Sequence, residues 1–444
     1  MASRSTAHRA LAALRADLAG EVFAPGDPGY DEARAVVNAR IDRRPAVIAQ
    51  CADAADVVQA VRFARDLDLH IAVRGGGHGL AGTLVDGALV VDLRRMRAVV
   101  VDPAAEAVRV EGGATMSDLD RTLRPYGLAA TGCHAPGAGV AGSVLGGGTG
   151  RLDRVFGLAV DDLIGVELVT ADAERVHAND DENPELFWAL HGAGGNFGVA
   201  TALTLEVHEL PEFSVALPLY PPESGPDVVR TFRELIRTGP QELGGAVLYL
   251  AGPPARCGAL LTYAGGAGGL RELAAPLLAL PHETDLCGAQ ALELPYPPAG
   301  LRGDGSAECL GGLPDAAVDV LCARAADMPV PSAGRLTLLP LGGAIATGPR
   351  AYPVPYRDAL WTVHPFACWA DPADDEPNRA WVRDVCADVR PWSTGDVCLT
   401  LIGDEGPERV RAGLGAGNTL RLEKVKRAYD PDNVFRFNHT VKPV

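Results

Sequence analysis

Four glycine-rich stretches fall before residue 200 of this chain: RGGGHG at 74–79, TGCHAPGAGVAG at 131–142, LGGGTGRL at 145–152 and HGAGGNFGV at 191–199. Glycine has no Cβ, so its backbone can come closer to a ligand than that of any other residue. Consecutive glycine amides can also form a concave nest for phosphate oxygens. One such stretch is ordinarily a turn. Four in one half of a chain point to a large phosphate-bearing ligand held by loops. The first stretch also carries His78 at the end of three glycines, where an imidazole serves as base, ligand or attachment point.

The familiar nucleotide signatures do not fit. No stretch reads G-x-G-x-x-G between a strand and a helix, and there is no G-x-x-x-x-G-K-[ST]. No H-E-x-x-H or Cys/His cluster suggests a metal, and His134 beside Cys133 reads as local packing. The AGSVLG around Ser143 lacks the G-x-S-x-G elbow of a serine hydrolase. A net charge of −17 without a basic stripe argues against a nucleic-acid partner. Nine scattered cysteines with no CxxC fit a reducing cytoplasm. The first twenty residues mix Arg, His and Asp into apolar positions and lack the core of a secretory signal. No stretch has 18 uninterrupted apolar residues, so no membrane span is expected.

A length of 444 residues implies two or three domains. From Arg43 to about Glu209, short β-like runs (AVIAQ, HIAVRG, GALVVDL, RAVVVD, AVRVEGG) alternate with helical spacing in DAADVVQAVRFARDLDL and TMSDLDRTLRPYG. This reads as α+β with mixed strands. From Phe213 the runs FSVALPLY, GAVLYLAG, GALLTYAG, RLTLLPLGG and LWTVHPFACWA predict a second, separate sheet with helices on one face. The division expected is 1–211, 212–419 and a tail of 420–444.

RGGGHG, TGCHAPGAGVAGSVLGGGTGRLDRVFGLAVDDLIGVELVTADA, NPELFWALHGAGGNFGVAT and YDPDNVFRFNHTVKP, in that order, resemble the berberine-bridge-enzyme-like flavin oxidases of the vanillyl-alcohol-oxidase superfamily. The resemblance runs from about Arg43 to the C-terminus. It implies a PCMH-type FAD-binding domain of two α+β subdomains, then a substrate domain whose antiparallel sheet is covered by helices, and a tail returning to the FAD domain. It also implies FAD bound covalently through His78, with Cys133 as a second attachment point in a loop longer than the usual pattern.

Further flavin contacts implied are Arg74, Gly75, Gly76, Gly77 and Gly79, then Gly132, Gly137, Gly139, Val140, Gly142 and Ser143. To these the resemblance adds Gly146, Gly147, Gly148 and Gly150, together with Leu158 and Asp162. Gly195, Asn196, Phe197, Gly198, Val199, Phe435 and Asn438 complete the set. The reaction implied is hydride transfer from a bulky secondary metabolite or glycoside to FAD N5, with O2 as acceptor.

Oxidation at an alcohol carbon needs a base near N5. Many relatives place a tyrosine there, in a Tyr-x-Asn motif on the last strand of the substrate sheet. The corresponding positions here are Cys398, Leu399 and Thr400, and a second tyrosine of the GGG-x-G loop is matched by Thr149. The candidates that remain are His364 in LWTVHPFACWA, Tyr352 in RAYPVPYRD, and the Cys398 thiol. Loss of both tyrosines keeps a second class open, a flavoprotein acting as a non-oxidative isomerase, cyclase or binding protein.

Overall fold

Asp53 starts the long helix Ala54–Asp66 by accepting the amides of Ala55 and Asp56 at 2.8 and 3.0 Å, as an N-cap carboxylate does. The helix buries Val57, Ala60, Val61 and Ala64 completely against a four-stranded sheet ordered Glu21–Phe23, Val47–Gln50, Leu89–Asp92, Ile71–Arg74. The last three strands run parallel and the first antiparallel, so this layer is mixed. The computed structural model describes residues 4–80, 84–288, 300–330 and 332–444.

A second, antiparallel sheet follows in the order Val99–Asp102, Ala107–Glu111, Val199–Glu206, Leu163–Val169, Arg175–Ala178. Helix Met116–Leu123 opens with a capping box between Thr115 and Asp118, which satisfies two amides at its first turn. Both β-rich layers arise where the sequence alternates strand and helix periods.

The third sheet is wholly antiparallel. Its central strands are Ser214–Tyr220, Arg256–Tyr263, Leu243–Leu250, Arg335–Pro340 and Trp361–Trp369, in that spatial order. Helices Gly225–Thr238, Ala267–Leu278, Asp315–Ala326 and Asp375–Val389 share one core with its outer face through Val228, Phe232, Leu270, Val318 and Trp381. Burying each of these large side chains contributes roughly 1.5–3 kcal/mol. Because strand residues alternate faces, Val247 and Tyr249 join that helical core while Ala246 and Leu248 point to the other side. The architecture is α+β, two α+β layers and then an antiparallel sheet covered by helices. No described helix is long and apolar enough to cross a membrane.

One expectation fails here. The stretch around Cys398 is not a last strand of the substrate sheet, since Leu399–Leu401 forms a 3-10 turn. The outer edge of Trp361–Trp369 is already taken by Arg302–Gly305 and Glu308–Leu310. Pairing of the 393–402 segment stops at a Ser393–Leu310 bridge and a Thr394 amide bond to Cys309.

The C-terminal helix Thr419–Tyr429 packs Leu422 and Val425 into the core of the second layer, while Phe435 enters the core of the first. Lys426 holds the turn between them. Its fully buried Nζ donates to Asp430 (2.7 Å), to the carbonyl of Asn196 (2.7 Å) and to that of Phe435 (2.8 Å).

Candidate functional site

Between the glycine loops and the open face of the third sheet lies a cavity of about 380 Å3, within the usual range for a small-molecule site. The parallel strand Ile71–Arg74 ends at its rim and delivers residues 75–80 into the wall. The second loop adds Cys133, His134 and Gly139, and the sheet adds Ala246, Leu248, Arg335, Thr337, His364 and Phe366. Residues 399–402 and Phe435, Phe437, Asn438 and His439 of the tail close the remaining sides. His439 Nε2 lies 3.0 Å from the Leu399 carbonyl, which joins those two sides.

The glycines divide by purpose. A Cβ on Gly76 would stand 2.3 Å from the Gly139 nitrogen, and one on Gly139 would stand 2.5 Å from that of Gly76. Likewise a Cβ on Gly150 would meet the Gly132 carbonyl at 2.4 Å. Gly76, Gly139 and Gly150 are glycine because another loop's backbone touches them. Gly79 and Gly142 line the cavity, and a Cβ there would meet nothing within 4 Å. That space is left for an occupant.

Of the sequence-derived contacts, Arg74, Gly75, Gly76, Gly77, His78, Gly79, Cys133, Gly139, Gly142, Ser143 and Gly146 line the cavity. So do Gly195, Asn196, Gly198, Phe435 and Asn438. Several of these act on protein rather than on a ligand. The Arg74 guanidinium is buried on Asp92 at 2.6 Å and on the carbonyls of Ala33 and Ala35. Asn196 donates to the carbonyls of Ala193 and His439 and accepts the Val441 amide at 2.8 Å. It therefore anchors the tail that brings Asn438 to the rim.

The other expected contacts stand behind the wall. Val140, Leu158, Phe197 and Val199 are fully buried core, and Gly132 abuts Met116. Gly137 faces the His78 ring, where a Cβ would be 3.0 Å from Cε1 and Nε2. Gly147 and Gly148 turn the chain with positive φ of 94° and 21°. Asp162 accepts the Thr131 amide at 3.0 Å and pairs with His208 at 2.8 Å. Burial foremost raises its carboxyl pKa, so it braces the second loop from inside.

His78 Nδ1 donates to the Gly76 carbonyl at 3.2 Å, and burial holds its pKa below the usual imidazole value. Cys133 is half-buried in the same wall. Burial raises its thiol pKa, opposed by the Ala135 and His134 amides and the Ser143 hydroxyl.

The three candidate bases separate sharply. His364 lines the cavity with Nδ1 at 2.8 Å from the Ser306 carbonyl. A carbonyl only accepts, so Nδ1 carries the proton and Nε2 is the acceptor nitrogen. Burial foremost, opposed by that hydrogen bond and aided by the charge of Arg335, lowers its pKa to about 4. Tyr352 does not line the cavity. It stacks on His191 at 3.7 Å between centroids, within a loop whose Ala351 carbonyl accepts from Trp188 at 2.6 Å. Cys398 is fully buried beside Tyr356 and Cys309, 3.2 Å from Thr400 Oγ1, and burial raises its pKa. Neither is brought to the site.

Four polar atoms of wall residues are buried with no hydrogen-bond partner among the described residues: Arg74 Nε, His134 Nε2, Thr337 Oγ1 and Asn438 Oδ1. Such atoms are costly unless satisfied. Together with the open cradle at Gly79 and Gly142, they fit the flavin and substrate that the sequence resemblance implies.

Sequence reasoning missed the sheet wall. Arg335, Thr337 and Leu339 alternate in RLTLLP, as do His364 and Phe366 in VHPF. Period two was visible there, but which face met the cavity was not.

A profile described as the FAD binding domain matches residues 45–179, and one described as berberine and berberine like matches 407–442. The chain is 44% identical to (R)-6-hydroxynicotine oxidase of Paenarthrobacter nicotinovorans over 199 residues, 44% of this chain and 43% of that protein. It is 28% identical to the uncharacterized FAD-linked oxidoreductase YgaK of Bacillus subtilis over 444 aligned residues, covering 96% of this chain and 98% of that one. The crystal structure of 6-hydroxy-D-nicotine oxidase from Arthrobacter nicotinovorans superposes with a TM-score of 0.88 at 28% identity, covering 96% of this chain and 98% of that one.

Proposed function

Since this chain belongs to the berberine-bridge-enzyme-like FAD-linked oxidoreductases, we propose that it is an oxidase of a bulky small molecule, a secondary metabolite or glycoside, with His364 as base. Bound FAD supplies a two-electron acceptor for the substrate hydride, and O2 is the terminal oxidant, released as hydrogen peroxide.

The observation that carries this reading is the hydrogen bond from His364 to Ser306. It leaves Nε2 as the proton acceptor, and a pKa of about 4 keeps the ring neutral at pH 7. His364 then takes the proton of the substrate hydroxyl while the carbon loses hydride. No tyrosine is needed. His78 is the covalent anchor of the flavin, held in the rim by the Gly76 carbonyl and backed by Gly137. Cys133, in the same wall, is the candidate second attachment. The apolar sheet face formed by Ala246, Leu248 and Leu339 supports a substrate with substantial apolar area.

Acid precipitation followed by peptide mapping tests the attachment. Flavin bound to the His78 peptide, alone or with that of Cys133, is the expected result. Flavin released free into the supernatant refutes the covalent reading. Peroxide formed with oxidised substrate, one for one, tests the oxidase reading.

A further inference from the structure

Proline removes a ladder hydrogen bond and is ordinarily kept out of strands that are paired on both sides. Pro365 breaks that rule, since it lies in the middle of the nine-residue strand Trp361–Trp369. On one side it faces Leu336 of Arg335–Pro340. On the other side run Arg302–Gly305 and Glu308–Leu310, with Gly305 opposite Phe366 and Glu308 opposite Val363. Those two pairings share one register, so Ser306 stands opposite Pro365. The strand assignment is interrupted at that point.

Only one bond of the rung is lost there. Ser306 gives its amide to the Pro365 carbonyl at 3.2 Å. In such an antiparallel pair the facing residue returns an N–H to complete the exchange. Pro365 has none to return. Ser306 is only 7% exposed, and a buried carbonyl without a donor is costly. The neighbouring His364 ring takes the place of the missing amide, with Nδ1 at 2.8 Å from the Ser306 oxygen.

We propose that Pro365 is a positioning residue for His364. By withholding the ladder amide it reserves the Ser306 carbonyl for the imidazole, which makes Nδ1 the donor and keeps Nε2 as the acceptor nitrogen. Its use in catalysis rests on reading His364 as the base. Successive strand residues point to opposite faces. Pro365 therefore shares the face of Val363 and Ala367, which belong to the helix-covered core, and it does not line the cavity. Any other residue at this position would bring an amide that competes for the same oxygen.

Holoenzyme labelled with 15N-histidine and read at pH 7 by long-range 1H–15N correlation tests this, because it tells the protonated ring nitrogen from the bare one. The His364 signals are those missing from H364Q or H364N. Native His364 is expected to carry its proton on Nδ1. P365V keeps apolar bulk in the core and restores the amide, as does P365A. In both, the ratio of Nδ1-protonated to Nε2-protonated ring should fall a few-fold, and neither should melt lower than the native protein, since a ladder bond has been added. L338A, on the neighbouring strand, should melt lower and leave the tautomer as it is.

A proton on Nε2 in the native protein overturns the proposal, and so does an unchanged tautomer in the proline variants. Failure of both proline variants to fold also overturns it, because Pro365 is then needed for packing. A tautomer that moves equally in L338A has the same consequence, since any loosening of the sheet would then suffice. The readout uses no substrate. Native rates of flavin reduction in H364Q would therefore refute the base reading and leave this result intact.

Discussion

His364 gives its Nδ1 proton to the carbonyl oxygen of Ser306, 2.8 Å away, and this one bond fixes the tautomer of a buried imidazole in the cavity wall. Replacing it with glutamine or alanine removes the acceptor nitrogen. General-base catalysis contributes about 10²- to 10⁴-fold, so the rate of anaerobic flavin reduction by substrate should fall by that factor, with flavin content unchanged. A loss smaller than tenfold would assign the proton to another group.

With His364 as the proposed base, the same residue should set the pH dependence. Burial foremost, with the charge of Arg335, holds its pKa at about 4, so the free base is present at every pH above that. The acid limb of kcat/KM should therefore fall near pH 4 and not near the ordinary imidazole value of about 6.5. A profile that bends near 6.5 identifies a solvated base instead.

Gly76 and Gly142 should respond differently to alanine. At Gly76 the new Cβ would press on the Gly139 backbone at 2.3 Å, which cannot yield as a side chain would. A cost of roughly 1–3 kcal/mol is expected, read as a lower melting temperature. At Gly142 the methyl meets no protein atom within 4 Å. That variant should melt like the native apoprotein but bind less FAD. Equal melting of the two variants contradicts the loop-contact account.

Lys426 and Asp430 are both fully buried, and Asp430 also accepts the amides of Val434 and Phe435 at 2.7 and 2.9 Å. K426M leaves that carboxylate without its cation, a change that costs about 3–5 kcal/mol. Limited proteolysis should then cut first within 430–441, because the tail loses its tie to the Asn196 carbonyl. Unchanged protease resistance there counts against Lys426 as the clamp.

Much of this was written in the chain. The motif order from RGGGHG to FNHTVKP gave the family, and the alternation of strand and helix periods gave the α+β layers and the separate antiparallel sheet. The Asp53 cap and the Thr115–Asp118 box fell where local chemistry puts them, because a helix start depends on residues three or four apart. His78, Cys133 and Asn438 were named from sequence, and all three line the cavity.

What local sequence could not state is which partner a residue meets from far along the chain. Cys398 and Tyr352 occupy plausible positions in sequence, yet one is sealed beside Tyr356 and the other lies flat on His191. Gly76, Gly139 and Gly150 look like parts of phosphate nests, yet each is glycine because another loop's backbone passes within 2.3–2.5 Å of where its Cβ would stand. Arg335 and Thr337 were passed over, because a strand's period of two says that its residues share a face and not what that face covers. Sequence determined the family, the elements and the cofactor. The tertiary fold decided which imidazole faces the cavity and which charge stands beside it, because both depend on contacts between segments dozens to hundreds of residues apart.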